Sequence, residues 1–298
     1  MQKPDGLIAI RVGDAHATVA AAGAEWRSWT VGGADLLWAP DPAFWAQTAP
    51  ILFPVCGWTR GGKVRVGGRS YPLGLHGFAS KMQFSVHAVG PDFVRLRLRD
   101  DAATRALYPF GFELDVEYRL SEFALSVRGE IRNCGGDPMP YAFGLHPGLR
   151  WPFAGGAAED YSIGFDAAER PEVPVISAGG LFSAKTRSVP MQGTRLALSP
   201  HLFEREALCF LDARSQGLRF SGPGGRSIRV QTGGFDHIVL WSRPGAPFLC
   251  VESCTGYGDP EDFDGELADK PSMILLAPGE ARAHGATYSL EGGAAVTS

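Results

Sequence analysis

Residues 93–132 constrain the fold of this chain more than any other stretch. Val94, Leu96 and Leu98 alternate with Arg95, Arg97 and Arg99. Further on, Leu114, Val116, Tyr118 and Leu120 alternate with Glu113, Asp115, Glu117 and Arg119. Beyond a short turn at Ser121-Glu122, Leu125, Val127 and Ile131 alternate with Ser126, Arg128, Glu130 and Arg132. A period of two is the pleat of a β-strand with one buried face and one wet face. The last two runs, joined by so short a turn, predict a hairpin.

The same signal recurs along the chain. Ile8, Ile10 and Val12 share one face of an opening strand. Gly67-Gly68 lies between Val64-Arg65-Val66 and Ser70-Tyr71, and Gly222-Pro223-Gly224-Gly225 lies between Leu218-Arg219-Phe220 and Ile228-Arg229-Val230, so both predict hairpins. Phe248 to Val251 reads as a buried strand that Glu252 ends, and Met273 to Leu276 as a short buried run. The 39 glycines and 22 prolines leave few windows for a helical period. Pro42 to Gln47 and Asp259 to Leu267 are the only helix candidates, and 171–193 reads as a loop excursion. With no repeat and no linker, the expectation is one all-β domain spanning 1–298, whose small, polar tail, 291–298, frays.

At 298 residues the chain is long enough for two average domains or one large β domain. Net charge is -4, which lacks the basic surplus that nucleic acid or an anionic membrane would call for. There is no signal-peptide core and no apolar run long enough to span a bilayer. Five scattered cysteines, an odd number, fit reduced thiols in the cytoplasm better than a disulfide scaffold.

Three stretches carry side chains suited to chemistry. In Tyr141-Ala142-Phe143-Gly144-Leu145-His146-Pro147-Gly148, Pro147 biases His146 towards extended backbone and cannot donate to a ladder, so the imidazole is held at a strand end. In Leu75-His76-Gly77-Phe78, Gly77 leaves the His76 ring approachable. Glu252 stands at the mouth of a buried strand, where desolvation raises a carboxyl towards the range of a usable base. Taken singly, each has a bland reading: a core histidine on a carbonyl, a loop histidine in water, a solvated glutamate. Together, two histidines and a glutamate at loop-proximal strand ends suit general acid–base work. Neither His-x-His nor His-Glu-x-x-His spacing occurs, so no metal site is expected, and no Gly-x-Ser-x-Gly elbow or phosphate loop is present.

Phe53-Pro54 with Gly57, Leu75 to Ala79, Tyr108-Pro109-Phe110 with Phe112-Glu113-Leu114, Pro138 to Pro147, and Phe248 to Glu252 with Thr255-Gly256 resemble, in order and over nearly the whole chain, the aldose 1-epimerase (galactose mutarotase-like) family, in its shorter LacX-like branch. The resemblance implies a β-supersandwich that interconverts the α and β anomers of a free sugar without metal or organic cofactor. It implies Glu252 as general base, His146 as general acid and His76 as a residue that holds or polarises the sugar. It requires His146 protonated while Glu252 is ionised, a combination that their mutual proximity favours.

The chain departs from the family pattern at Trp58 and Ser80, where many relatives have arginine, and at Ser253-Cys254, where Pro-Trp is common. Arginines near the first two points bind phosphate in sugar-phosphate relatives, so an unphosphorylated monosaccharide is expected. Substrate-binding candidates are Trp58, Arg60, Trp151 and Asp236; Trp241 is a further aromatic beside a motif, and Glu204 and Asp212 are alternatives for the acidic residue. His237 is ambiguous, and the other histidines read as surface or structural. Competing hypotheses are a sugar-binding module of the same fold with catalysis lost, and a lyase or glycosidase, the latter needing a second carboxylate. Monomer and homodimer both stay open.

Overall fold

The computed structural model describes residues 6–292, and the part of the expected tail from 293 to 298 lies outside them. A ten-stranded antiparallel sheet and a six-stranded sheet face each other, with a four-stranded sheet from residues 7–35 and three two-stranded ribbons around them. The 93–132 alternation folds as read. Phe93–Arg99, Phe112–Leu120 and Ala124–Asn133 are adjacent strands of the ten-stranded sheet. Their apolar residues enter the core, while Arg95, Arg97 and Arg99 stand opposite Glu117, Asp115 and Glu113 on the wet face. The Arg97–Asp115 pair is bidentate at 2.6 Å on both arms. A one-residue slip would turn both the apolar set and this ladder to the wrong face, which pins the register.

Both glycine-rich hairpins form, as Lys63–Val66 with Arg69–Pro72 and Gly217–Ser221 with Ser227–Gly233. Neither helix candidate does. Residues 42–47 form turns, held by Asp41, whose side chain accepts the Ala43 amide. In 259–269 only Leu267–Asp269 is a short 3-10 turn. Among the described residues the α-helix is Ala102–Leu107, which no sequence pattern announces; a reciprocal capping box between Asp101 and Thr104 starts it. The 171–193 stretch is not a loop excursion but a hairpin, Glu172–Ile176 with Phe182–Ser188. Glu291 is not frayed either: it closes the last strand, Ala281–Glu291, and pairs with Arg219 at 2.7 Å.

The six-stranded sheet is buried on both faces. Through its centre runs Phe248–Cys254, every residue of it buried. Leu249 and Val251 point into the core shared with the ten-stranded sheet. Phe248, Cys250, Glu252 and Cys254 point the other way, towards the loops that cover this face. The strand therefore does not end at Glu252 but carries it two residues short of its end, a correction that places the carboxylate inside a sheet.

Candidate active site

Interrupted pairing explains how Glu252 meets His146. Gly144–Leu145 and Gly148–Arg150 both pair with Phe248–Cys254, Gly144 against Cys254 and Gly148 against Cys250. Midway, His146 and Pro147 break the ladder, Val251 donating instead to the Pro147 carbonyl. His146 thus stands opposite Glu252, in the relation of a cross-strand pair. Glycines flank it on the same face at 144 and 148. A side chain at 144 would strike the thiols of Cys254 and Cys56, and one at 148 would strike the ring of Trp45.

His146 Nε2 lies 3.2 Å from Glu252 Oε1, and both side chains are nearly sealed from solvent, 7% and 6% exposed. Around the carboxyl are the thiols of Cys56, Cys209 and Cys250, none of which carries a charge that would favour a carboxylate. Burial pushes Glu252 well above the ordinary carboxylate range and pushes His146 down to about 4. Burial thus works against the ionised combination that their proximity favours. Desolvation acts against charge on both members.

His76 comes to the same place from a loop, its ring 5.4 Å from that of His146 and perpendicular to it. Its φ is +60°, in the left-handed region that costs a non-glycine residue about 1 kcal/mol or more. Three contacts hold it there: its amide donates to Gly57 O, its carbonyl accepts from Phe53 N, and its Nδ1 accepts from Gly57 N at 3.0 Å. The last bond fixes the tautomer. With Nδ1 an acceptor, the neutral ring carries its proton on Nε2, and burial together with His146 and Lys81 keeps the ring neutral by pushing its pKa well down. His76 is thus built to donate one hydrogen bond.

Aromatic rings wall the site. Trp45 lies 5.1 Å from His146 at a shallow angle, and Trp241 stands edge-on to both at 5.7 and 5.6 Å. Trp45 was missed in the sequence, where its loop shows no periodicity; the Asp41-Pro42 turn that aims it was the available signal. Trp58 is 44% exposed, packed on Gly180, and follows the Gly57 that holds His76.

The other substrate-binding candidates lie elsewhere. Trp151 is buried against Phe203, its indole N–H donated to Ala158 O, so it is core and not a platform. The Arg60 guanidinium turns to Phe263 O in a groove shared with Lys63 and Arg65. Asp236 is exposed on a turn, its carbonyl holding Ala213 N. His237 is structural in its bonds: Nδ1 accepts from Asp212 N, and Nε2 meets Ser272 Oγ at 3.0 Å. His284 is structural, buried between Tyr141 OH and Gly234 O. Among the described residues no three His, Cys, Asp or Glu side chains form a metal-binding group, and no helix is long and apolar enough to cross a membrane.

The sequence profile described as aldose 1-epimerase matches residues 7–289. The chain is 31% identical to the chromosomal LacX protein of Lactococcus lactis subsp. lactis over 258 residues, 83% of this chain and 86% of that protein. It superposes with a TM-score of 0.89 on a galactose mutarotase related enzyme from Lactobacillus acidophilus, at 26% identity and covering 96% of this chain and 97% of that one. A galactose mutarotase-like protein from Lactobacillus casei gives the same score and identity, with 96% and 100% covered. The all-β domain expected from the strand pattern, and the galactose mutarotase-like architecture that the resemblance implied, are the fold of this protein.

Proposed function

The chain belongs to the aldose 1-epimerase family, and on that premise we propose that it interconverts the α and β anomers of a free, unphosphorylated monosaccharide by acid–base ring opening and closure. The observation that carries this reading is the 3.2 Å approach of Glu252 Oε1 to His146 Nε2, both buried, beside the His76 ring. Anomerisation needs a proton taken from the C1 hydroxyl and one given to the ring oxygen. Both oxygens are bonded to C1, so base and acid must lie side by side, as this pair does.

Glu252 takes the hydroxyl proton while His146 protonates the ring oxygen from Nε2. Ring opening leaves Glu252 protonated and His146 neutral, the arrangement that burial favours. Rotation about C1–C2 and the reverse transfers close the other anomer. Pushing Glu252 up makes its carboxylate a stronger base, and pushing His146 down makes its imidazolium a stronger acid, as the two transfers require. His76 Nε2–H donates to a sugar oxygen, and Trp45 and Trp241 offer π faces to the axial C–H bonds of a pyranose. No residue of the site supplies a cationic cluster for a phosphate. Five free thiols fit a reducing, cytoplasmic setting.

The test is polarimetry of freshly dissolved α-D-glucose, α-D-galactose and a panel of pentoses and deoxysugars. At least one sugar equilibrates faster with the protein than without it. Equal rates across the panel would instead mark a sugar-binding module that has lost turnover.

A further inference from the structure

Behind His146, on the side away from the loops, lies a small cavity between the two large sheets. Its walls include His146, Leu145, Ile51, Trp26, Tyr118 and Tyr288, and it leaves about 10 Å³ to the centre of a water-sized sphere. That is room on the scale of one water molecule. Two of the lining residues each carry a buried polar atom with no hydrogen-bond partner among the described residues, His146 Nδ1 and Tyr288 OH. Thr48 Oγ1, one residue from the cavity-lining Ala49, is buried and unpartnered as well. The Tyr118 hydroxyl is committed elsewhere, to Ala24 O at 2.6 Å.

The catalytic cycle makes His146 Nδ1 a demanding atom. If the pair's proton sits on Glu252, the carboxyl donates to Nε2 and the ring's own hydrogen is on Nδ1. If the proton sits on His146, both nitrogens carry hydrogen. Nδ1–H is therefore a donor in both arrangements, and a buried donor without an acceptor is destabilising. The competing neutral tautomer, with hydrogen on Nε2 only, escapes that cost. It cannot accept a proton from Glu252 and is a dead end for the exchange.

We propose that one water molecule occupies this cavity, accepts from His146 Nδ1–H and is held in turn by Tyr288, so that Tyr288 acts as a positioning residue that locks His146 in the productive tautomer. The inference rests on the acid–base reading of Glu252 and His146. Tyr288 reaches the site from the opposite sheet: it lies in Ala281–Glu291, packs on Trp26 at 5.4 Å, and touches no reacting atom.

Tyr288→Phe keeps the ring and removes the hydroxyl. The expected result is a kcat lower by about tenfold with KM unchanged, the loss of about one hydrogen bond to the cycle. In ¹⁵N-histidine NMR spectra the wild-type His146 signal, assigned by its loss in His146→Asn, is that of the Nδ1–H tautomer, and Tyr288→Phe turns it into a mixture. Tyr118→Phe, which alters the same cavity wall without freeing a partner of His146, leaves the tautomer as in wild type. The proposal is overturned if wild-type His146 is already the Nε2–H tautomer, if Tyr288→Phe leaves the spectrum unchanged, or if both tyrosine variants change it alike. The spectra are read without substrate, so a protein that turns over no sugar would remove the proposed function and still decide the role of Tyr288.

Discussion

Two buried pairs of an acid and a base lie among the described residues, and they are built for opposite purposes. Asp259 and Lys270 meet at 2.8 Å with side chains 5% and 1% exposed. Glu252 and His146 meet at 3.2 Å, equally buried. Asp259 has the Lys270 amine on one oxygen and the Arg60 amide on the other, each at 2.8 Å. Its own amide donates to Trp58 O, so the pair clamps the loop that carries Gly57 and, through Gly57, the His76 ring. Glu252 has no backbone donor and no permanent cation, only an imidazole and thiols, so its proton remains negotiable. Burial alone does not make a carboxylate functional; the partner that burial leaves it decides.

The sharpest way to break this contrast is to remove one base from each pair. His146→Asn should lower kcat on the order of 10²–10⁴, the contribution of one positioned acid or base, with KM and unfolding free energy nearly unchanged. A loss of affinity alone would remove the general-acid role. Lys270→Met should do the reverse. Stranding Asp259 as an uncompensated buried charge should cost about 3–5 kcal/mol of stability in denaturant unfolding, while the folded protein keeps most of its kcat.

The pairs should also differ in how pH acts on stability. The His146 pKa is lowered on folding, from 6.5 to about 4. Its contribution is therefore present above the unfolded value and is lost as pH falls from 6.5 towards 4. The Glu252 pKa is raised, so its contribution is present below the unfolded value and is lost as pH rises through the folded one. Glu252→Gln should gain stability over wild type as pH rises from about 4.5, followed by thermal unfolding across pH. An advantage that shrinks with rising pH would mean Glu252 is held as a carboxylate. The smallest effect belongs to the aromatic wall. Trp45→Ala should raise KM by up to about tenfold, the scale of one aromatic contact, with less change in kcat.

Much of the larger sheet was legible because its strands are wet on one face, and alternation records that. The site strand was harder to read. Buried on both faces, Phe248–Cys254 has no alternation, so its end was placed at its first polar residue, Glu252, two residues early. The pairing of His146 with Glu252 could not be read because Pro147 breaks the strand that sets the register. The 172–188 hairpin was hidden by Pro174 and the Gly179-Gly180 tip, whose composition is also that of a loop. Trp151 looked like a platform because it adjoins a motif, but an indole whose N–H finds a carbonyl such as Ala158 O can enter the core. Trp45 went the other way: it reaches the site from a stretch of turns, and nothing in the periodicity of 39–47 says where a turn points.

The central claim is that Glu252 and His146 exchange protons with one sugar. The most direct measurement is the polarimetric rate of anomer equilibration for Glu252→Gln beside wild type, on whichever sugar the wild type turns over. The account predicts a fall on the order of 10²–10⁴ in a protein that folds as well as or better than wild type. A variant that equilibrates the sugar at close to the wild-type rate would contradict it.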